Sequence, residues 1–196
     1  MKRERRTSFS PLMIPGVIIV LIAGWSIASY NSLVNLEENA DNAFAKIEAQ
    51  YQRRFDLLPN VIRTVKGVST FEQKTLQGIV EARSAWTNSD TKNEQVEAAH
   101  GLDSAISRLV MTVEGYPDIK SSEAYRDLIT ELEGTENRIA FARNRFNDIA
   151  TQYNKYTRHF PQNFVAKFFG FNLERKVFEA QEGTEIVPIV DFGNNQ

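Results

Sequence analysis

Residues 125–160 read YRDLITELEGTENRIAFARNRFNDIATQYNKYTRHF. Tyr125, Leu128, Leu132, Thr135, Ile139, Ala142, Phe146, Ile149, Tyr153, Tyr156 and Phe160 recur at alternating steps of three and four for five heptads. A strand would need alternation at every second residue. A 3-4 repeat instead places all these side chains on one narrow stripe of an α-helix, with the seam of a coiled coil. The run predicts a long helix closed by Pro161, because proline disfavours helical geometry in the residue before it.

A partner of similar length lies upstream. Leu33, Leu36, Ala40, Phe44, Ile47, Tyr51, Phe55 and Leu58 step 3-4-4-3-4-4-3. That eleven-residue repeat describes a nearly straight helix. Pro59 removes one backbone donor, yet the phase continues through Ile62 and Val65, so a kink within one helix is expected, with Gly67 near its end. Residues 31–66 would extend roughly 54 Å at ~1.5 Å per residue.

Two shorter helices fit between them. Thr70 and Gln73 form a capping-box signature for a helix to about Thr87, with Leu76, Ile79, Val80 and Ala82 among its apolar positions. Residues 88–93 are a polar loop. A third helix from about Glu94 carries Val96, Ala99, Leu102, Ile106, Leu109 and Val113 and stops before Gly115 and Pro117. Outer helices about twice as long as inner ones predict an all-α, antiparallel four-helix bundle in which only the first and fourth continue towards the N-terminal end. Residues 185–192 alternate β-branched residues around Pro188 and read as an extended tail.

The first helix begins inside an uncharged run. Residues 7–36 carry no charge, their apolar core spans residues 12–30, and Lys2, Arg3, Arg5 and Arg6 precede them. About twenty apolar residues suffice to cross a hydrocarbon layer. Beyond the run the first charges are Glu37, Glu38 and Asp41. The positive-inside rule then predicts a single pass with a cytoplasmic N-terminus and an exported C-terminal domain. Ser26-Ile27-Ala28 also offers a small-x-small cleavage site; the length of the apolar stretch and the immediate return of helical phase favour retention. Trp25 and Tyr30 suit the outer interface, and Gly16, Gly24 and Ala28 share a helical face that would let two spans approach. The expected division is a basic cytoplasmic tail over 1–11, a transmembrane helix over 12–30, the bundle over 31–180 and an extended tail over 181–196.

Charge narrows the partners. The 23 basic and 25 acidic residues of the whole chain become 19 and 24 beyond residue 30, about five net negative charges. That opposes nucleic-acid binding, which requires clustered Lys and Arg. With no cysteine, disulfides and thiolate metal sites are excluded. His100 and His159 fall on different helices, and the sequence has no HExxH, phosphate loop or GxSxG elbow. Glu131 and Glu133 are two apart and point to different helix faces. No catalytic residue, metal or cofactor is expected.

One polar set remains: Arg53, Arg54 and Asp56 with Glu114, Glu136, Asn137, Arg138 and Arg143. Two readings are open, a charged groove for a peptide or headgroup and interhelical ion pairs that fix register. A second set is apolar. Phe164, Phe168 and Phe171 step 4-3 on one face of a short helix, with Lys167 and Phe169 beside them. This face either returns to the bilayer surface or caps the two-helix end of the bundle.

These features carry a family resemblance. Tyr30-Asn31-Ser32-Leu33-Val34 follows the span, and Gln52-Arg53-Arg54-Phe55-Asp56-Leu57-Leu58-Pro59-Asn60 leads into Thr64-Val65-Lys66-Gly67. Then come Ala82-Arg83, Arg108-Leu109, Glu114-Gly115-Tyr116-Pro117-Asp118-Ile119-Lys120, residues 131–139, Ala142-Arg143, Tyr153-Asn154 and Phe160-Pro161. In this order they resemble the LemA family of bacterial membrane-anchored helical proteins, from about Tyr30 to the C-terminus; Phe44 stands where the family usually has tryptophan. The resemblance implies a membrane-anchored bundle in the bacterial inner membrane and no particular reaction. Family members are associated with membrane-quality-control metalloproteases, and a magnetosome relative with shaping membranes. The expected function is a non-enzymatic envelope scaffold or adaptor, touching lipid through residues 12–30 and a protein partner or second copy elsewhere. The alternative is a ligand-sensing four-helix module acting through a partner.

Overall fold

The computed structural model describes residues 13–66 and 73–179. The described residues are helical almost throughout and include no strand. Among the described residues six helices follow one another: α1 (Met13–Lys66), α2 (Gln73–Thr87), α3 (Lys92–Val113), α4 (Pro117–Ser121), α5 (Glu123–Arg158) and α6 (Gln162–Phe168). The N-terminal tail, Thr70 of the expected capping box, Gly67 and the C-terminal tail lie outside the described residues.

α1 is one 54-residue helix. Pro59 lies inside it without ending it, on the exposed side, while Leu58, Val61 and Val65 stay buried. The apolar phase that continues past the proline is therefore used in packing.

Three boundaries differ from the periodicity. α3 starts at Lys92, two residues early, because Thr91 is its N-cap. The Thr91 hydroxyl accepts from the Glu94 amide at 3.2 Å and the Glu94 carboxylate accepts from the Thr91 amide at 3.2 Å, a complete capping box. The short α4 is additional; Pro117 fits its first turn, where no backbone donor is needed, and Ile119 is buried. α5 ends at Arg158, so Phe160 lies beyond the helix and is 78% exposed rather than at the end of the seam.

The chain divides into two compact units, and α1 and α5 each contribute a segment to both. The bundle unit comprises residues 43–66, 73–147 and 176–179 among those described. Its core takes Phe44, Ile47, Tyr51, Phe55 and Leu58 from α1, Ile79 and Trp86 from α2, Leu102 and Leu109 from α3, and Leu132, Ile139 and Phe146 from α5. Two aromatic groups fill it. Phe44, Phe146 and Phe178 meet at 5.3–6.3 Å between ring centroids, and Tyr51 lies 4.1 Å from Trp86 with Phe55 beside both. Such pairs stabilise beyond the area they bury. Phe44, where tryptophan is usual, is fully buried.

The anchor unit comprises residues 13–42 and Asp148–Arg175. Its core is small: Leu33, Val165 and Ala166 form a cluster with Tyr156, Phe171 and Leu173 packed against it, and Ala40, Ala150 and Tyr153 are also buried. Polar side chains of α5 compensate by binding the backbone of the extended segment 171–175. The Tyr153 hydroxyl donates to the Asn172 carbonyl at 2.6 Å and the Thr157 hydroxyl to the Leu173 carbonyl at 2.9 Å. The Asn154 amide both donates to the Arg175 carbonyl and accepts from its N–H, each at 2.8 Å. These bonds replace a β-ladder for a segment that has no neighbouring strand. Arg175 then reaches Glu37 at 3.2 Å and Asp41 at 2.6 Å, one helical turn apart on α1, and lies over the Tyr153 ring.

Candidate functional site

The polar cluster of the bundle unit is built around Arg54, only 1% exposed. Tyr51 and Arg54 stand three apart on α1, so both enter the same interior face. Arg54 donates from Nε to the Thr135 hydroxyl at 3.2 Å, from Nη1 to Asp103 Oδ1 at 3.0 Å, and from Nη2 to the Glu136 carboxylate. The Thr135 hydroxyl passes its own proton to the Leu132 carbonyl at 2.7 Å. The second Asp103 oxygen accepts from Arg143 Nη2 at 2.5 Å, and Arg143 also donates to the Tyr51 hydroxyl. The Arg143 guanidinium lies 5.5 Å from the Tyr51 ring centroid and 4.9 Å from that of Phe178.

Two cations thus share one buried carboxylate, and Glu136 supplies the second negative charge from a half-open position. Isolated buried charge is very costly, and this arrangement offsets it by pairing each charge, although Arg143 Nε stays buried without a hydrogen-bond partner among the described residues. Burial raises the Tyr51 phenol well above its ordinary value, as does Asp103, against the opposing pull of Arg143 and Arg54. Burial alone would lower the Arg143 guanidinium, but Tyr51 and Asp103 hold it above its usual value. Neither shift moves a pKa towards pH 7, where a general acid or base works best. The network is suited to fix three helices in register: Tyr51 and Arg54 on α1, Asp103 on α3, and Thr135, Glu136 and Arg143 on α5.

The eight residues singled out in the sequence therefore separate. Arg54, Glu136 and Arg143 meet. Arg53 and Asp56 are exposed, and Asp56 accepts from Gln52 one turn back at 3.0 Å. Glu114 is exposed, 3.9 Å from Lys120. Asn137 and Arg138 face elsewhere and line an open groove of about 560 Å³ with Ala43, Lys46, Gln50, Phe141, Ala142 and Arg145. Its rim carries three cations, and Phe141 is exposed. Sequence reading missed Asp103, Thr135 and the Tyr51 hydroxyl. The signal for Asp103 is its position: three residues before Ile106 and four after Ala99, it lies in the apolar stripe of α3.

In the anchor unit, Phe164 and Phe168 are both exposed on α6, while Phe171 does not continue their face. α6 stops at Phe168, and Gly170, at φ +77°, reverses the chain so that Phe171 packs back onto the Leu33 cluster. The N-terminal half of α1 is the helix long and apolar enough to cross a membrane; its residues 14–22 are exposed in the unit. Gly16 and Gly24 have open space where a Cβ would stand. Among the described residues no group of three or more His, Asp or Glu is placed to hold a metal ion.

The LemA family model matches residues 43–192. The chain belongs to the LemA family. It is 32% identical over 154 residues to Protein LemA of Metamycoplasma hominis, covering 78% of this chain and 69% of that protein. It is also similar to Magnetosome protein MamQ of Magnetospirillum gryphiswaldense, 25% identical over 72% of this chain and 62% of that protein. Magnetosome protein MamQ 2 of Paramagnetospirillum magneticum is 24% identical over 87% of this chain and 72% of that protein. None of these descriptions names an enzyme. A LemA-family chain with an apolar N-terminal helix is a membrane-associated helical protein.

Proposed function

We propose that this protein is a single-pass, non-enzymatic scaffold or adaptor of the bacterial inner membrane, with its N-terminus in the cytoplasm and its helical domain exported. The observation that carries the reading is the continuity of α1. Side chains suited to lipid and side chains that pack the bundle lie on one unbroken helix. The polar cluster supports it as well, since Arg54, Asp103 and Arg143 spend their hydrogen bonds on each other. The Lys2–Arg6 flank supports the orientation.

The family resemblance implies two settings, membrane organisation and envelope quality control, and makes a membrane metalloprotease the partner class to look for. The test is a photocrosslinker at Phe141, exposed in the groove, used in intact membranes. A scaffold gives a discrete protein adduct, with this chain or another. A second reading, ligand sensing through a partner, draws on the same groove with its Lys46, Arg138 and Arg145 rim. Adducts to small molecules alone would favour it. A reporter fused after Gln196 checks orientation: it is active only where export succeeds, and activity confined to the cytoplasm would reverse the topology.

A further inference from the structure

In the anchor unit, Phe160, Phe164, Phe168 and Phe169 fall within ten residues, and each is more than half exposed. They form two edge-on ring pairs, Phe160–Phe164 at 5.8 Å and Phe168–Phe169 at 5.1 Å. Contiguous apolar surface of this kind marks a contact with something other than water. The orientation of α6 is fixed from behind, because Val165 and Ala166 are buried with Leu33. The rings cannot turn inward without breaking that cluster.

The position of the face along α1 identifies its occupant. Phe169 lies 4.8 Å and Phe171 5.6 Å from the Tyr30 ring. Tyr30 ends the apolar run that starts at Leu12. At ~1.5 Å per residue that run covers roughly 28 Å, close to one hydrocarbon thickness. When α1 crosses the bilayer, Tyr30 therefore sits at its boundary, and the phenylalanines in contact with it sit there too. Lys167 is exposed on the same short helix, within reach of headgroup phosphates.

We infer that α6 and its flanks form a second, non-spanning membrane contact, in which Phe160, Phe164, Phe168 and Phe169 enter the interface of the leaflet where α1 emerges. This rests on the reading of α1 as a span. Aromatic side chains favour this layer, and an in-plane element beside a span gives the anchor unit two attachments to one surface. The small core of the unit is then no defect, since lipid covers what protein does not.

The absence of cysteine makes the test direct. Ile19→Cys, Thr151→Cys and Phe168→Cys are each made in the full chain and labelled with an environment-sensitive fluorophore. The proteins are reconstituted into phosphatidylcholine–phosphatidylglycerol vesicles with and without lipids spin-labelled both near the headgroup and in the middle of the acyl chain. The label at Phe168 should be blue-shifted and quenched by the spin-labelled lipid, the label at Ile19 quenched as well, and the label at Thr151, exposed on α5, unaffected. Quenching at Ile19 without quenching at Phe168 overturns the second contact and leaves the span standing. No quenching at either position overturns both. A label at Phe168 that is shielded from aqueous iodide but untouched by lipid quencher means that a second copy covers the face, which also overturns the inference.

Discussion

Aromatic residues are used in opposite ways in the two units. In the bundle unit Phe44, Tyr51, Phe55, Trp86, Phe146 and Phe178 are all buried and stack on one another around a closed ionic network. In the anchor unit Phe160, Phe164, Phe168 and Phe169 are exposed beside a small core around Leu33, Val165, Ala166 and Tyr153, and polar α5 side chains hold the extended segment by its backbone. The same residue type thus reports on different solvents. Where four helices converge, the clustered rings find protein, and Phe141 on the groove is the exposed exception. Where α1 approaches its apolar end, the four phenylalanine rings stay exposed. Stability should therefore be concentrated in the bundle network, and lipid affinity in the α6 face.

The contrast is broken hardest at Asp103. Asp103→Ala leaves Arg54 and Arg143 buried without their shared carboxylate, and should cost about 3–5 kcal/mol in urea unfolding followed by circular dichroism. No change would mean the two guanidiniums are solvated and the network is open. Phe178→Ala comes next. It removes a ring packed on Phe44, Phe146 and Arg143 and should cost about 3 kcal/mol in the same assay. Asn154→Ala should cost about 1–2 kcal/mol, since it frees one carbonyl and one N–H of Arg175; proteolysis within 171–175 should rise with it.

Tyr51→Phe sharpens the electrostatic side. The folded Tyr51 phenol, like those of Tyr125 and Tyr153, holds its proton above the ordinary value of 10.0. The unfolded chain therefore releases these protons first. Their contribution to stability is complete below that value and is lost as pH rises through it towards the folded value. Tyr51→Phe should lower stability by about 1 kcal/mol at neutral pH and flatten the alkaline decline. An unaltered decline would assign it to Tyr125 and Tyr153.

The fold was legible because its signals are periodic. The 3-4 stripe of α5 and the eleven-residue repeat of α1 each report an average over many residues, so one anomaly such as Pro59 does not erase them. The α3 boundary was missed because Thr91 and Glu94 form a local pair inside a polar stretch that also reads as loop. The polar cluster was legible only in part. Arg54 and Arg143 stand out as cations beside apolar stripes, but the carboxylate joining them comes from a third helix, and pairing across helices leaves no trace in one sequence. Arg53 and Asp56 are equally charged neighbours of Arg54; the 100° turn per residue carries them to solvent. Phe171 left its expected face because Gly170 reverses the chain after α6, a conformation that spacing alone does not reveal.

The most direct measurement is thermal unfolding of the full chain in mild detergent, comparing the parent with Asp103→Ala and with Phe164→Ser plus Phe168→Ser. With the stacked aromatic rings of the bundle core inside the fold and those of α6 outside it, the serine pair should melt within about 2 °C of the parent, while Asp103→Ala melts about 10 °C lower. A serine pair that melts as low as Asp103→Ala would make the α6 phenylalanines core residues and contradict the division.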